Sequence, residues 1–311
     1  MLRALRSSYS GTRIAAATSP GACELAATGG LGDAVIDLGI TQSSARSFFG
    51  AVKRISRIVR GGRNDKFDLV LDLSPRLETQ MASRLVSGGR VITPVKFPAV
   101  LDVLLAGSGR PRRSADHLAD CESVLRQLGL RMTDRRLGVT VGVDGHARFE
   151  DLLVRSGSRG GEFIVAFYSG AVGRDSGWPV ERFAEIAVRL SNNYGARVLA
   201  MDEPTDQAFT KAIGGMLPQG AIKLVTPRAL EVAAAVARSS LVVTDDSGLA
   251  QLASEFDTPV LEISESRLES PSAGARRTVH AASRARVTAD EAYEVATEML
   301  LMSRTVSLIQ R

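Results

Sequence analysis

LVVTDDSGLAQLASEFDTPVLEI, residues 241–263, decides the class of the fold. A short apolar run at 241–244 stops at two carboxylates, Asp245 and Asp246. Ser247 and Gly248 follow, then a helical pattern over 249–256 and a second apolar run at 259–263. An apolar run, a small-residue turn, a helix and another apolar run make a β-α-β unit, whose parallel strands are buried on both faces. In open sheets of this kind ligands bind beyond the carboxyl ends of the strands, where helix N-termini favour anions. Asp246 is placed there to hold a ribose or sugar hydroxyl, and the backbone of Ser247, Gly248 and Leu249 to face a diphosphate.

Upstream, SGAVGRDSGWP (residues 169–179) has the same character. Small residues such as Ser169 and Gly170 let backbone N–H groups approach a phosphate, Arg174 can pair with one bidentately, and Pro179 opens the helix that follows at its first turn. Taken singly, either stretch also reads as an ordinary Gly-rich turn. Around them apolar runs at 163–167, 197–201 and 222–225 alternate with helical patterns at 180–192, 206–216 and 229–238, and a closing helix spans 289–302. The first half repeats the theme less clearly, with strands expected at 13–18, 34–38, 67–73 and 90–93 and helices at 44–60, 75–86 and 116–128. In the 44–60 segment Phe48, Val52, Ile55 and Val59 share one face, and Arg46, Lys53, Arg57 and Arg60 the other. An arginine-rich polar passage over 131–145 separates the two series, giving domains at 1–140 and 141–311. The fold class is α/β, two Rossmann-like domains.

Composition narrows the chemistry. With 44% hydrophobic and 23% charged residues in 311, the chain is ordinary globular protein, long enough for two cores. Two cysteines, Cys23 and Cys121, without CxxC spacing form neither a disulfide framework nor a zinc site, and His117, His146 and His280 stand too far apart for a histidine metal centre. Residues 1–150 carry 22 Lys and Arg against 14 Asp and Glu, so an anionic partner would prefer that half. No aromatic-basic motif accompanies the charge, so nucleic acid is not an expected partner and the excess reads first as a solvated face. No apolar run of membrane-spanning length or signal peptide is present, and a cytoplasmic location is expected.

The order FDLVLDL, DHLADCESVLRQLGL, SGAVGRDSGWPVERFAEIAVRL, ARVLAMDEP and LEVAAAVARSSLVVTDDSGLAQLASEFDTPVLEI resembles the ADP-heptose:lipopolysaccharide heptosyltransferases and their relatives, glycosyltransferase family 9. Trp178-Pro179 before an amphipathic helix, and Asp246-Ser247-Gly248 before a short helix and a Thr-Pro strand, are its most characteristic pieces. The resemblance implies a GT-B architecture, two Rossmann-like domains facing across a cleft. The first, 1–140, would take the acceptor and the second, 141–311, the nucleotide-sugar. It implies inverting transfer of a heptose-like sugar to a cell-envelope glycan or glycolipid, as in lipopolysaccharide biosynthesis, without a cofactor or a bound metal. An anionic glycolipid acceptor would bring the chain to the inner membrane face as a peripheral protein. Donor contacts carry over to Ser169, Gly170, Arg174, Ser176, Asp246, Ser247, Gly248, Leu249 and Gln251, and acceptor contacts to Arg76 and Glu78, just beyond the 67–73 strand.

Two positions depart from the family pattern. Ser176 stands where members carry a lysine on donor phosphate, and Gln251 where they often carry histidine; Gln still donates a hydrogen bond but cannot be charged. In the family a Gly-Asp turn supplies the base that deprotonates the acceptor. GGLGDAVIDL (residues 29–38) invites that assignment for Asp33, but the register argues otherwise. Leu2-Arg-Ala-Leu-Arg6, Gly11-Thr-Arg-Ile14, Gly30 to Ile36 and Lys53 to Arg60 fall in the family's own order, which puts Asp33 before its third strand and the first strand ahead of Met1. Asp33 is therefore expected to be structural, and no residue is assigned as the base. A noncatalytic relative that binds a nucleotide-sugar or a partner protein is the alternative these departures leave open.

Overall fold

The computed structural model describes residues 1–18, 20–29, 32–37, 67–73, 83–93, 117–132, 138–158, 161–170, 177–202, 207–224, 228–265, 276–280 and 283–309. The helix expected at 44–60 and the site residues Arg76, Glu78, Arg174 and Ser176 lie outside them. The chain divides into two compact units, Met1–Arg135 and Arg136–Arg311.

In the first unit, helix α1 (Leu2–Ser8) leads to β1 (Ala15–Thr18), α2 (Pro20–Thr28) and β2 (Ala34–Asp37), and the two strands pair in parallel. β3 (Phe67–Leu71) pairs in parallel with β4 (Ser87–Ile92) across a register shift between Phe67 and Leu69. α3 (His117–Gln127) packs Leu125 with Ala4 and Leu5 of α1 and with Ile14.

Asp33 sits at the mouth of β2 as a brace. Its Oδ2 accepts from the Ile14 amide and from Arg6 Nη2, both at 2.7 Å, and its own amide donates to the Ile14 carbonyl at 2.7 Å. One carboxylate thus ties the end of α1 to the start of both strands. The Arg6 hydrogen bond first, and the Ile14 amide next, hold its carboxyl below the usual aspartate value. A depressed folded-state value means stability present above the unfolded value of about 3.9 and lost as pH falls through the folded one. Asp33→Ala is therefore expected to lower the melting temperature at pH 7, and the gap from wild type to narrow toward pH ~3. On the register given above, any sugar transfer that the resemblance implies should be unaffected by this change; a loss of orders of magnitude would return Asp33 to the chemistry.

The second unit is a six-stranded, all-parallel sheet. Its strands are β5 (Ile164–Tyr168), β6 (Arg197–Met201), β7 (Ile222–Leu224), β8 (Leu241–Thr244), β9 (Val260–Ser264) and β10 (Arg276–His280). Their spatial order is β7-β6-β5-β8-β9-β10, the doubly wound order in which the chain reverses direction between its first and fourth strands. Both faces are covered, so all five residues of β5 and all four of β8 are buried. On one face α5 (Val180–Tyr194) packs against α9 (Ala289–Ile309); on the other α4 (Val143–Arg155) packs against α7 (Ala229–Arg238). α6 (Ala208–Ile213) and α8 (Ser247–Glu255) complete the unit.

Trp178, the chain's one tryptophan, explains the Trp-Pro signature. It is buried edge-on to Phe183, with ring centroids 4.6 Å apart, and its Nε1 donates to the Val287 carbonyl at 2.9 Å. Pro179 is not the first helical residue. Its ψ of 132° is extended, so it is the N-cap, and its carbonyl accepts from the Arg182 amide at 3.1 Å. Two elements of this unit escaped the sequence reading. α4 starts at the end of the passage read as a polar boundary and runs ten residues beyond it, with Gly145, Phe149 and Leu153 one turn apart as its buried stripe. β10 begins with two arginines, and Arg276 is accommodated by a buried ion pair with Glu262 of β9, its Nε 2.9 Å from Oε2. α9 starts at a capping box: the Glu291 carboxylate accepts from the Thr288 amide at 2.8 Å, while the Glu291 amide donates to Thr288 Oγ1 at 3.2 Å.

Candidate functional site

β5 and β8 are neighbours, with Tyr168 opposite Thr244, so the residues that leave their carboxyl ends meet at the switch point of the sheet. Ser169 and Gly170 come from one strand, Asp245 and Asp246 from the other. The two stretches that the sequence marks independently are one place.

Asp246 is the N-cap of α8: its Oδ1 accepts from the Leu249 amide at 2.8 Å and its backbone carbonyl from the Ala250 amide at 3.0 Å. This takes the Leu249 amide, whose side chain is buried. The amides of Ser247 and Gly248, both exposed, have no partner among the described residues, as the first turn of a helix dictates. Asp246 Oδ2 has no hydrogen-bond donor among the described residues either, and it faces Gly170. A Cβ on residue 170 would stand 2.6 Å from that oxygen and 3.2 Å from Cγ, so a side chain here would displace the Asp246 carboxylate. Gln251, one turn into α8 from Ser247 and half-buried, lies on the same side of the helix as that residue. The site offers two open amides, one open carboxylate oxygen and an amide side chain: donors for an anion beside an acceptor for a hydroxyl.

Asp245 went unselected in the sequence and proves the best connected. It is 2% exposed; Oδ1 accepts from the Gly170 amide at 3.1 Å, and Oδ2 from Ser169 Oγ and the Trp178 amide, both at 3.0 Å. Burial pushes its carboxyl above the usual aspartate value, against the pull of the Trp178 and Ser169 hydrogen bonds and of the Arg284 charge. Arg284 lies in a 3-10 turn before α9, with Nε donating to the Ile263 carbonyl at 3.1 Å, and brings a cation toward this end of the sheet. Ser169, read as one of the small residues that let backbone N–H groups approach a phosphate, directs its hydroxyl to Asp245. Nothing local marks Asp245 for this role; only the adjacency of β5 and β8 brings its donors to it. Among the described residues no cluster of His, Cys, Asp and Glu is arranged to hold a metal ion.

The fold and this switch-point site place the chain in the class of GT-B glycosyltransferase folds. A glycosyl transferase of family 9 from Veillonella parvula superposes with a TM-score of 0.72 at 16% identity, over 97% of this chain and 92% of that one. The ADP-heptose lps heptosyltransferase II of E. coli gives 0.61 at 15%, over 97% and 94%. E. coli heptosyltransferase WaaC with ADP gives 0.62 at 15%, over 96% and 91%. In sequence, residues 146–265, all in the second unit, match the family model of glycosyltransferase family 9 (heptosyltransferase). The matched stretch contains every described residue of the candidate site except Arg284. No curated protein matches the chain in sequence.

Proposed function

We propose that the chain is a glycosyltransferase that takes its sugar from a nucleotide-sugar held at the switch point of the second unit. The observation that carries this is the pairing of open donors and an open acceptor on one helix start: the Ser247 and Gly248 amides suit a diphosphate, and Asp246 Oδ2 suits a ribose or sugar hydroxyl. E. coli WaaC with ADP, a neighbour in fold, supports a nucleoside diphosphate as the group bound. Arg174 is the residue of the Gly-rich loop that would steady the leaving diphosphate in place of the lysine replaced by Ser176, and Gln251 would supply a neutral hydrogen bond where histidine is usual. The sugar is heptose-like and the acceptor a cell-envelope glycan or anionic glycolipid, contacted by Arg76 and Glu78 of the first unit. Transfer inverts the anomeric centre and runs without a metal, on the cytoplasmic side of the inner membrane. No helix among the described residues is long and apolar enough to cross a membrane.

The test is release of nucleoside diphosphate from ADP-heptose, with chelator present, on adding lipopolysaccharide core acceptor. Acceptor-dependent release that persists in chelator is the expected result. Binding of ADP without any release would favour the noncatalytic relative that the exchanges at Ser176 and Gln251 suggest. No binding of ADP, UDP or GDP would end the donor reading.

A further inference from the structure

We infer that Asp245 is the positioning residue of the donor site, a buried carboxylate that holds the amides of Gly170 and Trp178 against the turn opening α8. The inference rests on the donor reading above. Gly170 and Trp178 are at opposite ends of the Gly-rich stretch between β5 and α5, yet both amides end on this one group, at 3.1 Å and 3.0 Å. Ser169 Oγ adds a third donor at 3.0 Å. Asp245 touches neither the open amides of α8 nor Asp246 Oδ2; it fixes where Gly170 stands relative to Asp246, and so whether that acceptor oxygen stays open to a ligand. Charge would argue against a carboxylate beside a diphosphate, and burial raises its cost further. Its retention is explained by geometry: three donors converge, and only a group with two acceptor oxygens and no hydrogen can serve them all.

The chemistry of asparagine makes this testable. Asp245→Asn keeps the shape but supplies one oxygen and one NH2. Ser169 can reverse its hydroxyl and accept, whereas the Gly170 and Trp178 amides cannot. In either orientation of the asparagine one of these two amides faces a donor, so one end of the stretch is released.

Two readouts on the full chain separate a positioning role from a merely structural one. Trp178 is the only tryptophan, so acrylamide quenching of its emission reports the release directly, with no ligand present. Calorimetric titration with ADP reports the donor site. Asp245→Asn is expected to raise Trp178 quenching and to weaken ADP binding about tenfold, at temperatures where both proteins are fully folded. Wild-type ADP affinity in Asp245→Asn would overturn the inference alone. Failure of the wild-type chain to bind ADP, UDP or GDP would overturn the donor reading and this inference with it. Should Asp245→Asn not fold, hydrogen exchange of the wild-type chain decides: slow exchange at both Gly170 and Trp178 is expected, and fast exchange at either overturns the proposal.

Discussion

Asp246→Ala is expected to lower kcat/KM for the nucleotide-sugar about 100-fold, the equivalent of roughly 2.7 kcal/mol. The two oxygens of this carboxylate do different things. Oδ1 caps α8 through the Leu249 amide at 2.8 Å, and losing such a cap costs about 1 kcal/mol of stability. Oδ2 is open toward Gly170, and a hydrogen bond from a hydroxyl to a charged acceptor contributes about 1.5–3 kcal/mol. Asp246→Asn separates the roles, since an asparagine oxygen still caps the helix while the charge is gone. Its melting temperature should match wild type and its kcat/KM should fall by most of the alanine effect. Initial rates over a range of donor concentrations, with melting curves on the same preparations, are the measurement. An alanine variant that transfers sugar at the wild-type kcat/KM would reduce Asp246 to a cap.

In the first unit, Gly89→Ala is expected to cost about 3 kcal/mol of stability. A Cβ at this position would lie 2.2 Å from the carbonyl oxygen of Asp68 and 3.1 Å from its carbon, both in the backbone of the neighbouring strand. No rotamer change relieves such an overlap. β3 and β4 must move apart where their register already shifts between Phe67 and Leu69, and the pairing from Leu69 with Arg90 onward loosens with them. Urea unfolding followed by circular dichroism would show it as a lower midpoint; a variant within about 0.5 kcal/mol of wild type would mean that the strands accommodate the methyl group.

Much of the second unit is legible along the chain. The helix expected at 229–238 and the strand at 241–244 coincide with α7 and β8. α7 has an amphipathic period, and β8 is an uninterrupted apolar run because it is buried on both faces. α4 was missed although Gly145, Phe149 and Leu153 recur at helical spacing, because charged residues fill the positions between them; β10 was missed because it opens on two arginines, of which Arg276 is accommodated only by Glu262 of β9. The Trp-Pro signature was visible, and the helix expected from residue 180 starts there, with Pro179 as its N-cap because a proline ring restrains φ and leaves ψ free to be extended.

The candidate site divides the same way. Gly170, Asp246, Ser247 and Gly248 could be read directly, because an apolar run that stops at small and acidic residues marks a strand end before a helix start, and both are local properties. Asp245 could not. Its importance lies in three donors that come from residues 67 to 76 positions away in sequence, joined to it by the placement of β5 beside β8. The sequence by itself determined the alternation of strands and helices, since side-chain periodicity and turn chemistry act between near neighbours. Only the tertiary structure decided which strand ends meet, and hence that Asp245 is buried beneath three donors from the other strand's end while Asp246 caps α8, because strand order is set by how whole β-α units pack their apolar faces.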